Sequence, residues 1–412
     1  MSLTPASTVP RGSSGGLRRD SHVPALDGLR GLAIIMVLFV HFIGNAQPWN
    51  AFERLLVKAS NYGLYGVDLF FVLSGYLITG ILYDSKGSSH YFRNFYMRRV
   101  LRIFPLYYAV LLVLFFVFPL APSLYLAGLQ ESSRHQAWVW SYGVNLFVAL
   151  RGSWALPYIS HFWSLAVEEH FYLLWPLVVG LASRDALLRI CGECVLLSLV
   201  LRIILLLAGV NEISVQVLTP CRLDSLCIGG FLAIASRSDR YGPLMRTARS
   251  ALPILAASIL LVFVWCTTTR LFLAVFHPIR ELLIAQFFGA LLIVCVTARP
   301  SDRVGRFFTH PAMRFFGKYS YGIYVFQGII AYYLHDHMQI VNAMSGRIGS
   351  HLLAVLLQAA VGVGLSILIA VVSYEWFEKP FLRLKRWFGE QTPVEIQPEA
   401  NRDQFSTGDG SR

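Results

Sequence analysis

Apolar stretches of membrane-spanning length recur along this chain, at 31–47, 64–83, 103–120, 136–150, 162–181, 190–208, 218–236, 251–268, 281–298, 319–337 and 351–372, bounded by Arg, Lys, Pro or Gly. With ~1.5 Å of rise per residue, about 20 residues carry a helix across a ~30 Å hydrocarbon layer. Lipid offers backbone groups no partners, so such segments must satisfy their own hydrogen bonds as helices. Hydrophobic residues make up 56% of the chain and charged ones 14%, too apolar a balance for an ordinary soluble enzyme. The expected fold class is all-α, a polytopic membrane helix bundle.

Charge placement sets the topology. Arg11, Arg18 and Arg19 precede the first segment, and Lys379, Arg383, Lys385 and Arg386 follow the last, which places both termini in the cytosol and requires an even number of crossings. The weakest segment, 136–150, contains Ser141, Gly143 and Asn145 and reads as a re-entrant or interfacial piece on the outer side. About ten transmembrane helices remain, and the resulting inner loops at 84–102, 182–189, 237–250 and 299–318 hold most of the loop Arg and Lys. The net charge of +12 is thus spread as a topology signal, with no basic domain that would suit nucleic acid. Residues 1–22 and 389–412 are polar and read as disordered cytosolic tails without a cleaved signal peptide, flanking a membrane domain at 23–388. The six cysteines lie in or beside apolar segments, and the Cys191/Cys194 pair has no second ligand pair, so they read as packing residues and no metal is expected.

Ionisable groups within spanning segments are costly and mark function by default. The stretch LDGLRGLAIIMVLFVH, from Leu26 to His41, holds three such groups. Eleven residues at ~100° each bring Arg30 and His41 to one helix face, ~16 Å apart along the axis, with Asp27 on the same stripe. Arg30 also fits a snorkelling anchor, and His41 a histidine bonded to a neighbouring helix. Asp68, Glu168, Glu169, Arg222 and Asp224 all fall in the outer half with His41, and Arg222 is a candidate counter-ion for one of the carboxylates. Glu168 and Glu169 point ~100° apart, so one of them is expected to face the cluster. A histidine held by a carboxylate in a low-dielectric cleft has the arrangement of a general base. On the inner side, RRVLRIFPLYY sets Arg99 and Arg102 one turn apart, suited to gripping phosphates as well as to marking topology. After the last span, YEWFEKPFLRLKRWF reads as an amphipathic segment on the inner surface, with Glu375 and Glu378 salt-bridged to loop arginines.

Taken together, LDGLRGLAI with His41, GLYGVDLFFVLSGYLI, RRVLRIFPLYY, FWSLAVEEHFYLLWP, CRLDSLCIGG, YSYGIYVFQ and YEWFEKPF resemble acyltransferase family 3, the integral-membrane O-acyltransferases, from about residue 25 to 385. The resemblance implies a ten-helix domain in the cell membrane. Such a domain passes an acyl group, usually acetyl from cytosolic acetyl-CoA, to a hydroxyl of an extracytoplasmic glycan or related acceptor. Arg30 and His41 match the family's pairing of a basic residue and a histidine with ten residues between them, and Arg99 and Arg102 match its Arg-x-x-Arg element, for which a role with the donor is implied. Where many relatives carry a second histidine, this chain has Gln327.

The expected assignment makes His41 the catalytic base or acyl carrier, oriented by Asp68, Glu168 or Glu169. Arg30, Arg99 and Arg102 would bind the acyl-CoA, and Arg222 with Asp224 would shape the acceptor cleft. A proton-coupled secondary transporter or flippase is the alternative, since buried His and Glu also relay protons. That class often shows related halves, and no convincing repeat links 25–205 to 210–385.

Overall fold

The computed structural model describes residues 23–120, 127–238, 241–264, 270–299 and 301–389; of the tails assigned to 1–22 and 389–412, only Gly389 is among them. The described residues form helices and turns, with no strand. First come α1 (Pro24–Phe39), which runs into a π-helical turn at Val40–Gly44, α2 (Ala51–Asn61), α3 (Gly66–Asp84) and α4 (Tyr91–Leu112). The short helices α5 (Ala127–Arg134), α6 (Gln136–Trp140) and α7 (Val144–Arg151) lead to α8 (Trp163–Leu181). Next are α9 (Arg184–Leu207), α10 (Glu212–Val217), α11 (Leu223–Ala235), α12 (Tyr241–Val264) and α13 (Arg270–Thr297). The chain ends in α14 (Arg303–Thr309), α15 (Pro311–Asp336), α16 (Gln339–Ile348), α17 (His351–Ser373), a π-helical turn at Tyr374–Glu378, α18 (Lys379–Arg383) and a 3₁₀ turn at Leu384–Phe388.

Seven helical runs among the described residues are long and apolar enough to cross a membrane: Pro24–Gly44, Ala51–Asp84, Tyr91–Leu120, Arg184–Leu207, Gly242–Leu261, Ala274–Thr297 and His351–Phe388. The other three segments expected to span are helical as α8, α11 and α15. With 13 residues, α11 alone is shorter than a ~30 Å layer requires. The stretch 136–150 breaks into α6 and α7, of five and eight residues, neither long enough to cross. Leucines and isoleucines such as Leu196, Ile204, Leu260 and Leu368 face outward from α9, α12 and α17, the apolar exterior that lipid demands.

Where lipid removes the hydrophobic drive between helices, close backbone approach through small residues takes over. Two helix pairs use it. A methyl group at Gly28, Gly31 or Gly317 would overlap the backbone of Phe308, Met313 or Asp27, so α1 lies directly against α14 and α15. At Gly75 it would overlap Leu226, and at Gly229 it would overlap Val72, which locks α3 onto α11. These contacts set Arg30 beside α15 and Asp68 beside the start of α11. Gly75→Leu must therefore push α3 from α11, with an expected loss of roughly 2–3 kcal/mol or more, read as a lower melting temperature and a smaller monodisperse fraction in detergent.

Candidate active site

Helices α1, α3, α4, α8 and α15 enclose a central cavity of about 770 Å³, lined by Arg30, Arg99 and Arg102 on one side and by Ser74, Glu168, Glu169 and Tyr172 on another. Arg99 and Arg102 face it together because they are one turn apart on α4. The Arg99 guanidinium stacks 5.9 Å from the rings of both Phe95 and Tyr172, and its Nε is buried without a partner. Arg30 pairs with Asp27 at 3.4 Å, whereas neither Arg99 nor Arg102 closes an ion pair among the described residues. On the facing wall, Ser74 Oγ donates to Glu168 and receives the Tyr172 hydroxyl at 3.1 Å. Both Glu168 and Glu169 line the cavity, where one was expected to, and Oε1 of Glu169 is buried unpaired.

His41 sits apart from this group. The π-helical turn at Val40–Gly44 carries it, and its Nδ1 donates to the Val37 carbonyl at 2.9 Å, which leaves Nε2 as an acceptor. It lines a separate cavity of about 340 Å³ with Asn45, His335, Met338 and Gln358. None of Asp68, Glu168 and Glu169 is its hydrogen-bond partner; the carbonyl four residues back takes the place expected for a carboxylate.

Between His41 and the central cavity stands a wall of His161, Ser164 and Tyr324. Ser164 and Tyr324 line the cavity and bond to each other at 2.5 Å, while the Tyr324 hydroxyl donates to the His161 carbonyl at 2.6 Å. His161 is within electrostatic reach of His41, donates through Nε2 to the Val325 carbonyl at 3.1 Å, and keeps Nδ1 buried without a partner. Its ring lies flush on α15 at Gly328, where any side chain would overlap it. Gln327 is fully buried, with Nε2 3.4 Å from the Tyr324 carbonyl and Oε1 unpaired. Sequence reasoning passed over His161. The spacing of His161, Ser164, Glu168 and Tyr172, by three, four and four, was the available signal, since it puts all four on one helical stripe.

Further along the bundle lies a knot of five buried charges. Arg222 donates to Asp68 at 3.1 Å and to Glu281 at 2.7 Å, and Arg202 pairs with Asp224 and, at 3.1 Å, with Glu281. The Arg222 Nε also donates to the Gln216 carbonyl at 2.6 Å, and Ser225 Oγ to Asp68 at 3.1 Å. Asp68, Arg222 and Glu281 face a cleft of about 600 Å³ together with Tyr62, Tyr65 and Trp163, while Asp224 is not among its lining residues. Arg202 and Glu281 had not been singled out in the sequence.

A third cavity, of about 850 Å³, shares Arg30, Arg102 and Tyr321 with the central one and adds Lys318, Glu378 and Leu382. The central cavity and the cleft share Val67. Three spaces thus succeed one another through the bundle, with unpaired arginines at one end and aromatic rings at the other.

Residues 23–375 match the family model described as "Acyltransferase domain". The chain belongs to acyltransferase family 3. Among the curated relatives of this family-3 chain are "Putative peptidoglycan O-acetyltransferase YrhL" of Bacillus subtilis, 30% identical over 379 residues, and "Peptidoglycan O-acetyltransferase OatA" of Listeria monocytogenes, 30% over 375. These alignments each cover 87% of this chain, and 55% and 56% of the relative. "O-acetyltransferase OatA" of Staphylococcus aureus is 27% identical over 379 residues, covering 87% of this chain and 57% of its own length. The chain therefore spans a little over half the length of the curated relatives it matches. No solved structure matches it.

Removing one partner from the five-charge knot strands the others in a dry interior. Arg222→Ala is expected to cost about 3–5 kcal/mol, seen as a drop in the thermal unfolding midpoint of the detergent-solubilised protein. Arg99→Ala, which breaks no ion pair, should leave that midpoint within about 1 kcal/mol of wild type.

Proposed function

We propose that this chain is a membrane O-acyltransferase that moves an acyl group, acetyl by preference, from acyl-CoA on the cytosolic side to a hydroxyl of an extracytoplasmic glycan. The observation that carries the reading is the pair Arg99 and Arg102, cations without ion-pair partners facing a cavity in a family-3 domain. Arginines without counter-ions at such a depth need an anionic ligand, and the phosphates of CoA supply one. Arg30, which belongs to both the central and the basic-end cavity, would guide the pantetheine arm inward.

The reaction needs one proton removed and one returned. The acceptor O–H bond breaks as its oxygen attacks the thioester carbon; the C–S bond then breaks and the CoA thiolate takes up a proton. His41 suits the proton transfer, because its Nδ1–H is held by the Val37 carbonyl and Nε2 has a free lone pair. The same lone pair could instead accept the acyl group as an acyl-imidazole that the acceptor hydroxyl then opens. Either route brings the thioester past the hydroxyls of Ser164 and Tyr324, which line the cavity and are bonded in series to the His161 carbonyl. Glu168 and Glu169 would tune the cavity's charge, Asp68 and Asp224 would hold the arginine knot, and Arg222 with the rings of Tyr62, Tyr65 and Trp163 would receive the acceptor. Relatives named "Putative peptidoglycan O-acetyltransferase YrhL" and "Peptidoglycan O-acetyltransferase OatA" support a surface glycan as the acceptor, and the apolar helices support a membrane location.

The test is the O-acetyl content of surface glycans in cells carrying wild type, no protein, or His41→Ala at matched expression. Loss of one mark in both altered strains is expected, with transfer by His41→Ala down by at least ~10²-fold. Marks that persist without the protein would overturn the reading. In purified protein, Arg99→Ala should raise KM for acetyl-CoA by roughly 10–100-fold with a smaller change in kcat, the pattern of lost ground-state binding.

A further inference from the structure

The last membrane helix does not simply stop. Its 38-residue helical run from His351 to Phe388 would extend ~57 Å as one straight helix, well beyond a ~30 Å layer. The chain instead departs from α-helical geometry at Tyr374–Glu378, and both α18 and the 3₁₀ turn at Leu384–Phe388 fold back against α4, the helix that carries Arg98, Arg99 and Arg102. Glu375 fixes the bend by accepting from Lys318 Nζ at 2.9 Å, Tyr319 hydroxyl at 3.0 Å and Lys379 Nζ at 2.7 Å. Its partners are lysines and a tyrosine, where loop arginines had been expected. Glu378 accepts from Ser373 Oγ at 3.2 Å and, with Leu382, forms a wall of the basic-end cavity opposite Arg30 and Arg102.

Beyond that wall, the half-buried Lys385 sits in the combined field of Arg102, Arg99, Arg98 and Arg30. It closes no ion pair among the described residues. Five cations against two carboxylates, Asp27 on Arg30 and Glu378 across the cavity, leave an excess of positive charge, and folding an amphipathic segment so that a fifth joins four is unfavourable unless a further anion occupies the space between them. A ligand with several phosphates in a short span answers that arrangement better than a single carboxylate.

We propose that the segment Lys379–Phe388 is a strap forming one wall of a polyphosphate clamp, in which Lys385 joins Arg30, Arg98, Arg99 and Arg102 on the nucleotide end of the acyl donor. This rests on the donor reading above and extends it to a residue outside the family-model match, which ends at 375. Arg30 and Arg102 line both spaces, so the nucleotide would sit where the basic-end cavity meets the central one, with the pantetheine arm extending into the latter.

The experiment is calorimetric titration of CoA into the full-length protein in zwitterionic nanodiscs, for wild type, Lys385→Gln and Lys385→Arg, with acetyl-pantetheine turnover as a companion measurement. The clamp predicts about tenfold weaker CoA binding by Lys385→Gln, near wild-type binding by Lys385→Arg, and acetyl-pantetheine turnover unchanged in both, since that donor lacks the nucleotide. Equal CoA affinity in wild type and Lys385→Gln overturns the clamp and leaves the donor reading standing. A loss shared by Lys385→Arg, or by acetyl-pantetheine turnover, makes the residue structural and also overturns it. Failure of the wild type to bind CoA removes the donor reading and the clamp with it. If phosphatidylglycerol added to the discs abolishes CoA binding outright, the site belongs to a lipid headgroup and the assignment falls.

Discussion

A guanidinium group stays charged even inside a lipid-embedded bundle, so each buried arginine must be met by an anion. The protein meets this demand in two ways. Around Arg202 and Arg222 it supplies the anions itself, from α3, α11 and α13, and the resulting knot ties four helices where no hydrophobic force would hold them. Around Arg99 and Arg102 it supplies none that closes a pair. One site is built to be complete and rigid, the other to be completed by something else. Two sets of arginines in the same fold thereby come to serve opposite ends, and the difference lies in their neighbours.

The bundle was legible from its apolar periods, because in lipid the length of a run and the charge of its flanks are nearly sufficient to place it. That Arg222 would meet a carboxylate was legible too, although which one was not: the structure gives it Asp68, expected beside His41, together with Glu281. Arg202 and Glu281 were illegible for a related reason. Each is a single charge in a long apolar helix, and which face it occupies depends on how α9 and α13 are rotated, a property of the assembled bundle. The partner of His41 was also out of reach. Local helix geometry at Val40–Gly44 gives its Nδ1 a backbone acceptor, and nothing in the residue pattern announces a π-helical turn there.

His161 teaches a different lesson. It stands one residue ahead of an apolar run and was absorbed into that run's edge, although its spacing to Ser164 and Glu168 marks a polar stripe. The structure gives the stripe a continuous meaning, from the neighbourhood of His41 through the Ser164 and Tyr324 hydroxyls to the Glu168 wall. The distance between His41 and the unpaired arginines is thus bridged by hydroxyls and an imidazole, groups that both donate and accept hydrogen bonds and carry no fixed charge.

Val67 is the residue shared by the central cavity and the aromatic cleft. Under the acyl-transfer reading proposed above, a path through the bundle must still keep ion gradients intact, since water entering from both ends would give protons and sodium a route through. Where the two spaces meet, the shared lining is one β-branched side chain, stiff at χ1, with Phe70 and Phe71 on the central-cavity side. Its lack of polar atoms offers a hydrated ion no replacement for the water it would shed. A basic space and an aromatic one therefore meet at a side chain with neither charge nor hydrogen-bonding group.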